Sequence, residues 1–144
     1  MTKAYWTAVA AYLLPTFPLG YVWHLVAFHE NYERLAIYRQ EVLIPLGVSS
    51  MVIQALLFSW AYPRLFSTQK GRWLRSAAQF GCVFGLIAWS YTTLPVAAKY
   101  DMTSVPRFMV LETGFNLLQF LVVSPLIALA YRDVGPSRSS RAQS

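Results

Sequence analysis

Four apolar stretches, at residues 6–28, 44–62, 76–97 and 107–131, constrain this chain more than any other feature. A hydrocarbon layer about 30 Å thick is crossed by roughly 20 apolar residues in helical form. No water is available inside such a layer, so each backbone N–H and C=O must find its partner within the segment, and a helix does this alone. The expected fold is therefore all-α, an integral membrane antiparallel four-helix bundle over residues 1–132. The polar tail 133–144, DVGPSRSSRAQS, has no apolar periodicity and is expected to be disordered.

Composition agrees. Of the 144 residues 56% are hydrophobic and only 12% charged, against about 25% charged in an ordinary soluble domain. The mean hydropathy is +0.41. A net charge of +6 could suggest nucleic acid, but the basic residues are scattered at segment ends, and nucleic acid is rejected as a partner. The single cysteine, Cys82, excludes an internal disulfide and any multi-cysteine metal or iron–sulfur site. Segment one is read as a retained span and not a signal peptide. Its n-region has one lysine, Pro15 and Pro18 interrupt the apolar run, and no small-residue cleavage site follows. A kink is expected at Pro15–Pro18.

Lys3, Arg64, Lys70, Arg72, Arg75, Arg132, Arg138 and Arg141 fall on one side of the layer, and Arg34, Arg39, Lys99 and Arg107 on the other. The positive-inside rule then predicts cytoplasmic termini, with the 29–43 and 98–106 loops outside. Trp60, Tyr62 and Trp73 would form an inner aromatic belt, and Tyr32, Tyr38 and Tyr100 an outer one.

Polar side chains within a span are expensive and usually point into the bundle. Segment four carries Glu112, Asn116 and Gln119 at i, i+4 and i+7, on one helical face. Gln79, Cys82, Trp89 and Thr93 share a face of segment three, Ser50 and Gln54 one of segment two, and Thr16, Gly20 and His24 one of segment one. At 1.5 Å per residue, Glu112 lies roughly 7–8 Å below the outer surface, His24 and Thr93 about 6 Å and Ser50 about 10 Å. All four helices thus present a polar group in the outer half, whereas the inner half offers little beyond Gln79 and Ser124. A cavity that opens outward is expected. Ser104, before Val105-Pro106, is the expected N-cap of the last helix.

The stretch WHLVAFHENYERLAIYR, residues 23–39, mixes two environments. His24 belongs with the buried constellation. His29, about 140° round the helix, belongs to the wet end, where it is spaced i, i+4 from Glu33, as Glu30 is from Arg34. A metal would have to draw on His24, Glu112, His29 and Glu33, but no HExxH or ExxH pair is present. Two histidines so far apart on one helix cannot share an ion unless the helix breaks. No metal is expected, and no cofactor is indicated, although a haem with a single protein ligand stays open. No GxSxG or Ser/His/Asp set supports hydrolysis. Ala77, Gly81, Gly85 and Ala88 form a small-residue ridge with a GxxxG, read as packing within the chain in preference to a dimer interface.

The runs WHLVAFHENYERLAIYR, IPLGVSSMVIQ, AYPRLF, VAAKYDMTSV, LETGFNLLQF and ALAYR resemble those of a group of small bacterial four-span membrane proteins. The resemblance extends to about Arg132. It implies the fold and a bacterial inner-membrane location, and no activity.

The expected function is binding of a small polar or amphipathic ligand, or a cation, in the outward-facing cavity. Glu112 would anchor it, and His24, Asn116, Gln119, Gln54, Ser50, Thr93 and Trp89 would form the wall. The alternatives are an accessory or assembly subunit of a larger membrane complex, and an enzyme acting on a lipid, quinone or pigment with His24 and Glu112 as acid and base. A homo-oligomer is compatible with each. Binding is preferred over catalysis.

Overall fold

A computed structural model describes residues 3–39, 41–132 and 134. Its elements are α1 (Lys3–Val22), a π-turn (Trp23–Ala27), α2 (His29–Leu35), α3 (Ile44–Leu65), a 3-10 turn (Lys70–Arg72), α4 (Trp73–Thr92), α5 (Leu94–Lys99) and α6 (Val105–Tyr131). The described residues contain no strand. Four stretches are long and apolar enough to cross a membrane: Lys3–Ala27, Ile44–Leu65, Lys70–Lys99 and Val105–Tyr131. The chain is by that measure a multi-pass helical membrane protein. Apart from Val134, the tail expected to be disordered lies outside the described residues.

The apolar surface is turned outward as lipid requires. Leu14, Val110, Leu117 and Leu121 are each more than 60% exposed, a pattern that in water would make a large sticky patch. Helix α6 is the hub. Of its most apolar window 39% is buried, against 17–22% for the other three spans. It packs antiparallel to α1 on one side and α4 on the other, while α3 lies against α1. The core is aromatic, with Phe58, Phe80, Phe84 and Phe120 meeting edge to face or tilted. At one end Tyr62 stacks on Tyr131 with centroids 5.5 Å apart.

Local chemistry sets the boundaries. Helix α1 runs unbroken through Pro15 and Pro18, and the irregularity expected there falls one turn later. The Phe28 N–H donates to the Trp23 carbonyl five residues back, at 3.1 Å, and the helix then stops. Residues 29–35 form a separate helix, α2, which ends on Ala36 in the left-handed region at φ 59°. That conformation costs an alanine about 1–2 kcal/mol, and tertiary bonds hold it. The Thr103 hydroxyl donates to the Arg34 carbonyl (2.6 Å) and the Thr103 N–H to the Leu35 carbonyl (3.3 Å), capping α2 from the loop before α6. Pro95 has no N–H for the Tyr91 carbonyl, so one span divides into α4 and α5. Ser104 caps α6 as expected, its hydroxyl accepting from the Arg107 N–H.

The glycine ridge of α4 packs on α6. A Cβ at Gly81 would lie 2.8 Å from Ser124 Oγ, and one at Gly85 3.2 Å from the Phe120 ring. These glycines set how closely the two helices approach.

Three expectations need correction. Tyr32 and Tyr62 are not belt residues: both are fully buried, because α2 folds over the bundle end and Tyr62 packs beneath Tyr131. Gln79 is exposed and leaves the polar face assigned to it. The end away from α2 is not poor in polar groups, since Ser59, Ser76 and Ser124 are all buried there and Tyr131 donates to the Ser59 carbonyl at 2.6 Å. Hydroxyls on small side chains bury easily between close helices, and hydropathy along one segment does not register them.

Candidate functional site

The site begins with Glu112, about two turns into α6, whose side chain is only 15% exposed. A carboxylate so placed needs donors. Tyr32, on α2, donates its hydroxyl to Glu112 Oε1 at 2.7 Å. His24, in the π-turn, places Nε2 3.6 Å from the same oxygen. His24 Nδ1 lies 3.0 Å from the Gly20 carbonyl oxygen. A carbonyl only accepts, so Nδ1 carries a hydrogen. Nε2 then faces an oxygen already accepting from Tyr32, and the contact is attractive only when the imidazole–carboxyl pair holds one further proton. The cluster is thus an imidazole–carboxyl pair in which a phenol donates to the same carboxyl oxygen.

Aromatic rings close around it. His24 meets Phe115 edge-on at 4.5 Å, and Tyr38 stacks on Tyr32 at 4.9 Å with an interplanar angle of 4°. Trp23 lies against Gly114, where an added Cβ would be 3.4 Å from the indole. Burial first, and the Glu112 charge second, push the Tyr32 and Tyr38 phenols above the ordinary tyrosine range. Tyr32 therefore keeps the proton it donates. Helix α2 is pinned by Arg107, whose guanidinium donates to the Asn31 side chain, and by Leu35 packing on Phe108 and Leu111.

The remaining predicted residues separate into two further networks. Tyr12 donates to Gln54 Oε1 (2.5 Å) and accepts from Gln119 Nε2 (3.0 Å), while Gln54 donates to Ser50 (3.2 Å). This chain ties α6 through α1 to α3. On the opposite side, Asn116 pairs both ends of its amide with α4. It donates to the Gly85 carbonyl at 3.1 Å and accepts from the Trp89 N–H at 3.2 Å. The Trp89 indole N–H donates to Thr113 at 2.9 Å. Thr93 is buried at the α4–α5 junction, with no hydrogen-bond partner for its hydroxyl among the described residues. Of the weaker metal candidates, His29 pairs with Glu33 at 3.2 Å on the exposed side of α2. Among the described residues no three His, Cys, Asp or Glu side chains gather.

Beside His24 lies a cavity of about 420 Å³ between α1, α3 and residues 37–39 and 42–44, within the usual range for small-molecule pockets. Phe17, Leu25, Val48, Met51 and Phe115 form apolar walls, and His24, Tyr38 and Arg39 mark its polar end. Of the residues expected to line one cavity, only His24 lines this one, with Glu112 behind it, while Trp89 and Asn116 line the groove between α4 and α6. The missed partners are Tyr12, Tyr32, Tyr38 and Thr113. For Tyr32 a signal existed: Phe28, Tyr32 and Leu35 recur at i, i+4 and i+7, the apolar stripe of a short amphipathic helix. No protein-family model matches the chain, and neither does any curated protein or solved structure.

Proposed function

We propose that this protein binds a small amphipathic ligand in the cavity between α1 and α3, with the ligand's polar end toward His24 and its apolar body along Phe17 and Met51. The observation that supports this most directly is the contact between an apolar cavity of about 420 Å³ and the pair His24–Glu112. Intramembrane ionisable groups are costly and usually serve a function. The nearly continuous apolar wall favours an amphiphile over a bare cation, which would demand several oxygen ligands. Glu112 acts through His24: with the Gly20 carbonyl at Nδ1 and Glu112 facing Nε2, the imidazole is held in place beside the cavity. The ligand site faces outward in a bacterial inner membrane, with both termini cytoplasmic. That placement rests on the distribution of Lys and Arg and on the resemblance to small bacterial four-span proteins.

The test is native mass spectrometry and absorption spectroscopy on protein purified in mild detergent, for wild type, Glu112→Gln and His24→Ala. A bound mass in wild type that is lost or strongly reduced in both variants is the expected result. Wild type carrying no ligand, or all three carrying the same mass equally, overturns the reading.

A second reading is an accessory subunit, favoured by the groove of about 620 Å³ between α4 and α6, open and lined by Leu74, Leu86, Leu117 and Leu121. A stoichiometric protein that co-purifies with all three forms would favour it.

A further inference from the structure

The polar end of the α1–α3 cavity carries a charge that says more about its ligand. Arg39 is exposed and lines the cavity. Arg34 pairs with Glu30, Arg107 donates to Asn31, and Arg64 donates to the Trp60 carbonyl and lies over its ring. No hydrogen bond or ion pair joins Arg39 to any other described residue. It is a guanidinium at the mouth of an apolar cavity with no anion beside it among the described residues.

We infer that the cavity takes a long-chain carboxylate, whose headgroup pairs with Arg39 beside His24 and whose chain lies between α1 and α3. The inference rests on the ligand-binding reading above and names its substrate class. Three observations fit together. First, the cavity runs along α1 from His24 through Gly20 and Tyr21 to Phe17, about 10 Å of helix, so headgroup and chain sites are at opposite ends. Second, Arg39 is the one permanently charged residue in the described lining, which matches the single charge of a carboxylate better than the double charge of a phosphomonoester. Its planar fork also fits two carboxylate oxygens. Third, every lining residue from α3 is apolar or glycine, so no second polar site competes for the chain. The titratable groups around the headgroup position are His24 and Tyr38, with Tyr32 and Glu112 behind them. Glu112 accepts from Tyr32, faces His24 and does not itself line the cavity.

The experiment measures binding of hexadecanoate, hexadecanol and hexadecyl phosphate to the full chain in lipid nanodiscs. It compares wild type, Arg39→Ala and Gly47→Leu. Gly47 lines the cavity, and a Cβ added there meets nothing within 4 Å, so leucine fills the space without a first clash. Wild type is expected to prefer the carboxylate to the alcohol by on the order of tenfold to a hundredfold, as for a hydrogen bond to a charged group. Arg39→Ala should erase that preference while leaving alcohol binding intact, and Gly47→Leu should weaken both. Equal wild-type binding of carboxylate and alcohol, with loss of both in Gly47→Leu, overturns the charge assignment and leaves the cavity reading standing. A preference for the phosphate, or equal loss of all probes in Arg39→Ala, also overturns it. No binding of any probe to wild type removes the inference and counts against the amphiphile reading beneath it.

Discussion

Glu112 shows how one residue depends on the shape of its surroundings. Its carboxyl sits inside a span and is kept there by a phenol from α2 and an imidazole from the π-turn. Hydrogen bonds to charged groups contribute about 1.5–3 kcal/mol, and Tyr32→Phe removes one while keeping the ring and its stack on Tyr38. The expected result is about tenfold to a hundredfold faster amide hydrogen exchange over Asn31–Leu35, with the middle of α6 unchanged. Unchanged protection in α2 would mean that apolar packing of Leu35 and the Thr103 bonds hold it without the phenol. The meeting of His24 and Glu112 was legible in the sequence, because their depths match when counted along two antiparallel helices. Tyr32 was not. Its burial depends on the direction α2 takes after Phe28, and tyrosine near a span end reads equally well as an interfacial residue.

At the scale of elements, α6 distributes its polar groups among its neighbours. Glu112, Asn116 and Gln119 share a stripe, as their spacing predicts, yet from Glu112 to Gln119 the helix rises about 10 Å. Across that rise the stripe meets α2, α4 and α1 in turn. The α4–α6 contact depends on Gly81, and Gly81→Ala should cost about 1–3 kcal/mol by overpacking. Much of that cost should vanish in a Ser124→Ala background, because the Oγ that a new Cβ would meet at 2.8 Å is then gone and the next atom lies at 3.4 Å. Unfolding of the two single variants and the double variant in mixed detergent measures the coupling. Effects additive within about 0.3–0.5 kcal/mol would show that Ser124 is not what the new methyl meets.

At the scale of the whole molecule much of the surface is apolar, as a lipid surround requires, while Thr16, Asn116 and Gln119 are buried inside. The orientation proposed from Lys and Arg puts the loop holding Asp101 outside and the loop holding Thr68 inside. Single cysteines at these positions in a Cys82→Ser background should differ in intact cells. A membrane-impermeant thiol reagent is expected to label Asp101→Cys and to spare Thr68→Cys. The reverse pattern would invert the molecule and place the α1–α3 cavity toward the cytoplasm.

Hydropathy, proline placement and capping act along a single segment. From them followed four spans, the Ser104 cap and a close helix approach at the glycines of α4, though not that α6 is the partner. Depth along a helix axis is likewise countable in residues, which is why His24 could be matched to Glu112. Azimuth and lateral partner are not countable in this way, because they depend on how neighbouring helices pack. Only the tertiary structure divided the polar residues into three networks, turned residues 29–35 into a cap over the bundle and opened the cavity beside α3. Thr103 and Arg107 decide that cap through contacts distant in sequence, and such contacts leave no periodic trace in the chain.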